Sequence, residues 1–234
     1  MEHHKPARKR EVETLVPETP FFCSWSGGKD SALALFHAIE LGASPRNLLT
    51  MLIETGDRSR GHGLPVSVID SQARAMGIPL MTRNASWEGY EGQFKDALDE
   101  LRELGMTHGV FGDIDLEGHR EWVERVTSER GMKAALPLWK MGRGELLAEF
   151  FAAGFKAMIV SVKDGVLDKS YLGKELTPSV VSEMEAIGID AAGENGEYHT
   201  VVTDGPMFSY PIGLDSKEIV SRDGYHFLSV IESQ

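Results

Sequence analysis

The chain has 234 residues, 41% hydrophobic and 26% charged, with 24 Lys and Arg against 36 Asp and Glu, a formal net charge of −12. So acidic a composition excludes unselective nucleic-acid binding, which needs cations to displace phosphate counterions, and no run of eighteen apolar residues offers a membrane span. A single cysteine, Cys23, excludes an internal disulfide and a thiolate zinc cluster, and the N-terminus lacks the apolar core of a signal peptide, so the expected location is the cytoplasm.

Residues 1–19, opening Met1-Glu2-His3-His4-Lys5 and basic through Arg10, read as a disordered tail. Phe21 to Trp25 is an apolar run bounded by Pro20 and the Gly27-Gly28 pair, which predicts a buried strand. Asp30 to Leu41 has helical periodicity through Ala34, Leu35, Ala38 and Ile39 and closes at Gly42. Leu48 to Ile53 is a second strand, and the polar, Gly-rich stretch from Glu54 to Gly63 reads as a surface loop. A helix over Val66 to Met76 ends at Gly77, a strand covers Pro79 to Thr82, and Tyr90 to Leu104 is a helix with Phe94, Ala97, Leu98 and Leu101 on one face. Thr107 to Phe111 is a fourth strand, followed by Gly112-Asp113 and a helix from Leu116 to Arg130. This alternation predicts a parallel sheet covered on both faces. Further on come a helix at Glu145 to Ala153, a strand at Lys156 to Val162, a helix at Pro178 to Ile187, and hairpin-like sequence from Gly193. The pattern changes at 131–135, which sets domains at 20–133 and 134–234.

The strongest local signal is Ser26-Gly27-Gly28-Lys29-Asp30-Ser31, between a strand and a helix. Two glycines let the backbone approach a ligand closely, and the helix N-terminus beyond them presents unpaired N–H groups and a positive dipole end to an anion. Lys29 adds a mobile charge, Ser26 and Ser31 add hydroxyl donors, and Asp30 can cap the helix or help to hold magnesium. An ordinary Gly-rich turn is the alternative. The spacing does not fit the Walker loop, which separates its glycines by four residues.

The order Ser-Gly-Gly-Lys-Asp-Ser resembles the PP-loop of ATP pyrophosphatases. The resemblance implies an α/β fold, an open five-stranded parallel sheet of the adenine nucleotide α-hydrolase-like type, here with a smaller mixed α/β C-terminal domain. It also implies that the loop holds the pyrophosphate part of ATP while a substrate attacks the α-phosphorus. Three later segments narrow the family: Gly112-Asp113-Ile114 through His119-Arg120-Glu121-Trp122, then Pro137-Leu138-Trp139, then Gly193-Glu194-Asn195-Gly196-Glu197-Tyr198-His199-Thr200 running on to Asp204-Gly205-Pro206. Together with the loop they resemble the diphthine–ammonia ligase family over about Phe21 to Phe208. That implies an ATP-dependent ligase that adenylates a carboxylate and amidates it with ammonia. ATP and Mg²⁺ are the implied cofactors; ammonium and an acid, in the family's known role diphthine on elongation factor two, are the implied partners. A small-metabolite acid and a non-catalytic ATP-binding sensor stay open as alternatives, as does a homo-oligomer.

The late motif also makes chemical sense on its own. Glu194 and Glu197 flank the turn that Asn195-Gly196 favours, and such a turn can present two carboxylates to one site as Mg²⁺ ligands or as a base for ammonium. A solvated hairpin turn would look the same. His199 and Asp204 add titratable groups nearby, and Lys29, Glu194, Glu197 and His199 are the catalytic candidates. Gly112 and Asp113 follow a strand end, where open α/β sheets bind ligands, although Asp113 and Asp115 compete to cap the next helix. Leu116, His119, Val123 and Val126 share a helix face, which makes His119 a packing residue or a substrate contact. Trp139 reads as core or pocket wall, with stacking on adenine as the alternative. His62, in Gly61-His62-Gly63, sits on the long loop, where function tends to gather. Cys23 reads as a packed strand residue, which leaves no cysteine to carry sulfur and none for a glutaminase.

Overall fold

The computed structural model describes residues 15–233. Of the expected tail at 1–19, residues 1–14 lie outside the described residues. The rest is not disordered: Leu15 is buried in the core and Glu18 donates its backbone N–H to the Gly42 carbonyl at 2.8 Å.

Strands β1 (Pro20–Ser24), β2 (Ser44–Leu52), β3 (Leu80–Asn84), β4 (His108–Val110) and β5 (Lys133–Ala135) form one sheet in the order β3-β2-β1-β4-β5, every pairing parallel. Helices α1 (Lys29–Glu40), α2 (Val66–Met76), α3 (Tyr90–Glu103) and α4 (Glu117–Ser128) connect successive strands. Phe21 and Cys23 enter a core with Leu33 of α1 and Ile69 of α2, while Phe22 enters a second with Phe94 of α3 and Val126 of α4. A strand buried on both faces needs apolar side chains at consecutive positions, which explains the unbroken run Phe21-Phe22-Cys23. Burial pushes the Cys23 thiol well above its ordinary pKa, consistent with a packing role.

The three-residue β5 has no counterpart in the sequence reading, whose 133/134 boundary falls inside it. Lys133-Ala134-Ala135 carries little strand propensity, and pairing with β4 imposes the conformation. Beyond it lie α5 (Arg143–Ala152), β6 (Lys156–Lys163), a 3-10 turn at Lys169–Tyr171, α6 (Pro178–Ala186), β7 (Tyr198–Asp204), β8 (Leu214–Arg222) and β9 (Tyr225–Glu232). The last four strands make an antiparallel sheet, β7-β6-β9-β8. Val160, Val162, Val201 and Val202 of this sheet belong to the same apolar cluster as Leu33 and Ile69, so the two sheets share a core. Among the described residues no helix is long and apolar enough to cross a membrane.

This topology fixes where a ligand can go. β1 has β2 on one side and β4 on the other, so the connections leaving β1 and β4 diverge and leave a crevice at the strand C-termini. The second sheet covers that crevice through β7, whose Val202 N–H donates to the Gly27 carbonyl at 2.8 Å.

Candidate active site

A cavity of about 460 Å³ opens at this edge, within the usual size range of small-molecule sites. Its wall is built from the ends of β1, β2 and β4, the start of α1, the 59–62 loop and the 193–200 segment. Ser26, Lys29, Asp30 and Ser31 lie at one side, with Gly112, Asp113 and His119 from the β4–α4 connection and Glu194, His199 and Thr200 from the second sheet.

The phosphate loop is held open by glycine at both positions. Gly27 has φ +84°, and a Cβ there would stand 2.8 Å from both Leu64 and Ile69. A Cβ on Gly28 would meet His62 Cε1 at 2.3 Å. A Cβ on Gly112 would likewise stand 2.9 Å from the backbone of Asp30 and Ser31. The N-cap of α1 is Gly28, which has no side chain to cap it; Asp30 does not cap it either, and Asp30 and Ser31 of its first turn border the cavity. The Lys29 amide instead donates to Thr200 Oγ1 at 3.1 Å. Ser31 Oγ donates to the Gly28 carbonyl at 3.0 Å, so in the 3.0 Å pair of hydroxyls Ser26 is the donor.

Gln72, which sequence reasoning missed, ties this loop to its surroundings. It is fully buried, donates to the carbonyls of Gly27 (2.9 Å) and Val202 (2.7 Å), and accepts from Trp25 Nε1 (2.9 Å). A polar residue on the apolar side of an amphipathic helix was the one available signal.

Lys29 is 4% exposed. Burial opposes its charge, but Asp30 at 2.8 Å, Tyr198 and Glu194 at 3.9 Å together hold its pKa above the ordinary lysine value. Glu194 moves the other way: burial and the Asp30 charge outweigh Lys29 and Arg143 and push its carboxyl up to about 7. His62 Nδ1 lies 2.9 Å from the Thr200 carbonyl, which requires the proton on Nδ1 and leaves Nε2 as an acceptor. Burial lowers the His62 pKa, and burial, His62 and Lys29 lower that of His199 to about 3, so the two rings, 4.7 Å apart, are neutral at pH 7.

Asp30 Oδ2 takes the Lys29 ammonium, while its buried Oδ1 has no partner. The described residues include no group of three or more His, Cys, Asp or Glu side chains able to hold a metal. An ion bound by one carboxylate oxygen, nucleotide phosphates and water fits such a site, and magnesium takes that arrangement readily.

Several expected site residues lie elsewhere. Only one of the paired carboxylates faces the cavity. Glu197 turns inward, accepting from the Asn195 amide and side chain, both at 3.0 Å, and from the Asp190 amide at 3.4 Å. It shapes the turn that carries Glu194, and Asn195 is spent on the same bonds. Asp204, at the far end of β7, pairs with Lys156 at 3.2 Å. Trp139 is core, packed with Phe22 and Val126 and covered outside by Lys140 and Arg120. His119 is not a packing residue: its side chain is 65% exposed at the cavity edge, and a hydrogen bond with Asp113 at 3.2 Å raises its pKa. Neither Asp113 nor Asp115 caps α4, since Asp115 pairs with Arg143 at 2.7 Å. The 54–63 segment is more than a surface loop. It folds back along β2, with Arg60 N bonded to the Met51 carbonyl at 3.1 Å, and so brings Arg60 and His62 to the cavity.

Residues 21–134 match the diphthamide synthase N-terminal domain and residues 143–231 the diphthamide synthase C-terminal domain. The chain belongs to the diphthamide synthase family. A human diphthine–ammonia ligase is 28% identical over 88% of this chain and 86% of its own length. The fission yeast diphthine–ammonia ligase is also 28% identical over 84% of this chain, which spans 36% of that longer protein. A solved structure of a predicted subunit of tRNA methyltransferase from Methanocaldococcus jannaschii is similar over 80% of this chain and 98% of its own, with 16% identity and a TM-score of 0.43.

Proposed function

We propose that the protein is a cytoplasmic ATP-dependent amide ligase that adenylates a carboxylate and then amidates it with ammonia, the acid being diphthine on elongation factor two. The observation that carries this reading is the shared cavity, whose wall brings Ser26, Lys29 and Ser31 of the phosphate loop beside Glu194 and the neutral His62. Family membership supports the ligase chemistry, and its diphthine–ammonia ligase relatives point to the acid.

In this mechanism the β- and γ-phosphates lie on the loop from Ser26 to Ser31. The acid's carboxylate oxygen attacks the α-phosphorus, and the bond to the β-phosphate oxygen breaks, giving acyl-adenylate and pyrophosphate. Lys29 and the first-turn amides of α1 hold the charge that develops on the leaving group, where a preorganised donor contributes most. Asp30 would hold Mg²⁺ together with the phosphates, and the ion supplies further charge neutralisation there. His62 Nε2 accepts a hydrogen bond from ammonia and orients its lone pair. Ammonia adds to the acyl carbon, Glu194 takes its proton, and AMP leaves with one carboxylate oxygen. A carboxyl titrating near 7 suits this step at neutral pH.

Incubation with ATP labelled on the α-phosphate tests the class. Labelled AMP forming only when both acid and ammonium are present supports the ligase; tight ATP binding with no AMP would make the protein a nucleotide sensor instead.

A further inference from the structure

The cavity is lined by two side chains that are always or nearly always cationic, and they are differently occupied. Lys29 is engaged by Asp30 and Glu194. Arg60 has no carboxylate partner among the described residues, and its Nε is buried without a hydrogen bond. One end of its guanidinium is fixed, because Nη2 donates to the Ala85 carbonyl. The group lies over the Trp87 ring at 4.7 Å and within 6.0 Å of the Tyr90 ring, and all three residues border the cavity. Trp87 is 78% exposed, so burial does not account for a tryptophan there.

We infer that Arg60, held over the Trp87 ring, is the docking point for the planar carboxylate of the acid substrate. The geometry favours carboxylate over phosphate. A guanidinium is planar and can offer paired N–H groups as a fork, which matches two coplanar oxygens. The phosphates already have the loop amides and Lys29. A buried N–H without an acceptor is also costly unless a ligand completes it. The pinned 54–63 segment supplies rigidity: Ser59 N–H donates to the Leu64 carbonyl at 2.8 Å, and Arg60 N–H is tied to β2. Arg60 therefore holds the carboxylate from a fixed backbone position, with one of its oxygens toward the nucleotide.

This inference rests on the ligase reading, but its test separates the two. ATP affinity is measured by titration calorimetry, and KM for diphthine-bearing elongation factor two from AMP release, in the wild type and in Arg60→Ala, Arg60→Lys and Trp87→Ala. Arg60→Ala and Arg60→Lys are expected to raise that KM about 10- to 100-fold, the latter because an ammonium cannot fork. Trp87→Ala removes a surface side chain and is expected to raise KM about 3- to 10-fold through the lost stacking. In all three, ATP affinity stays within about twofold of wild type, by the same arithmetic. A parallel loss of ATP affinity would assign Arg60 to the nucleotide and overturn the inference, as would an unchanged KM. If the wild type releases no AMP with this acid, the ligase reading fails, and direct binding of the same factor decides: weaker binding by Arg60→Ala upholds the docking role, and equal or absent binding overturns it.

Discussion

Replacing Gln72 by Met tests how the phosphate loop is held. The two side chains are both unbranched and of similar length, so the variant removes hydrogen bonds with little change in packing. Three bonds go, but their losses differ. The Gly27 carbonyl keeps the Val202 N–H at 2.8 Å and stays satisfied. Val202 O loses the 2.7 Å bond from Gln72, a loss of about 1 kcal/mol. Trp25 Nε1 loses its acceptor in a residue only 2% exposed, and an orphaned buried donor costs roughly 1–3 kcal/mol. The expected destabilisation is thus about 2–4 kcal/mol, a large part of a typical domain's 5–15 kcal/mol. Urea unfolding followed by tryptophan fluorescence should show a lower midpoint at unchanged slope. Calorimetry should show ATP affinity reduced roughly tenfold, because the Gly27 carbonyl is no longer clamped from α2. A loss below about 0.5 kcal/mol, or full ATP affinity in a destabilised protein, would refute the reasoning.

Other consequences follow from the same geometry. A carboxyl whose folded pKa lies near 7 rather than at its ordinary value binds more protons folded than unfolded, so Glu194 makes stability fall as pH rises from about 4.5 to 7. His199, with its folded pKa lowered to about 3, acts oppositely, its share being lost as pH falls from 6.5 toward 3. The difference in Tm between Glu194→Gln and the wild type isolates the first effect: near zero at pH 4 and favouring the variant at pH 8. A difference independent of pH would show that Glu194 titrates normally. In Gly28→Ala the new methyl would lie 2.3 Å from His62 Cε1 and 3.1 Å from the Thr200 carbonyl oxygen, so the loop or His62 must move. Such overpacking costs about 1–3 kcal/mol; fluorescence titration should show ATP binding weakened at least tenfold, and wild-type affinity would mean that the contact yields freely.

Much of this architecture was legible in the sequence because local and global signals agreed. Phe21-Phe22-Cys23, the Gly27-Gly28 pair and the helix beyond them announce a strand, a turn and an anion site in eleven consecutive residues or so, and Gly77 ends α2 in the left-handed conformation that glycine favours. What escaped depends on distant partners. β5 is a strand only because β4 lies beside it. Glu197 and Glu194 look equivalent three residues apart, and only the fold turns one toward Asn195 and the other toward Lys29. Gln72 has no motif of its own, since two of its partners, Trp25 and Gly27, come from the loop after β1 and the third, Val202, from β7. Arg60 and Trp87 are 27 residues apart and meet because the 54–63 segment doubles back along β2. Trp139 is bordered by recognisable motif residues, yet the apolar area of its ring is better used in the core.

In the proposed mechanism the acid is joined to AMP before ammonia displaces the nucleotide, and isotope transfer reads that step directly. With the acid's carboxylate labelled in ¹⁸O, ATP and ammonium, mass spectrometry of the nucleotide should find one labelled oxygen in each AMP formed. AMP free of label, or ADP as the nucleotide product, would contradict it.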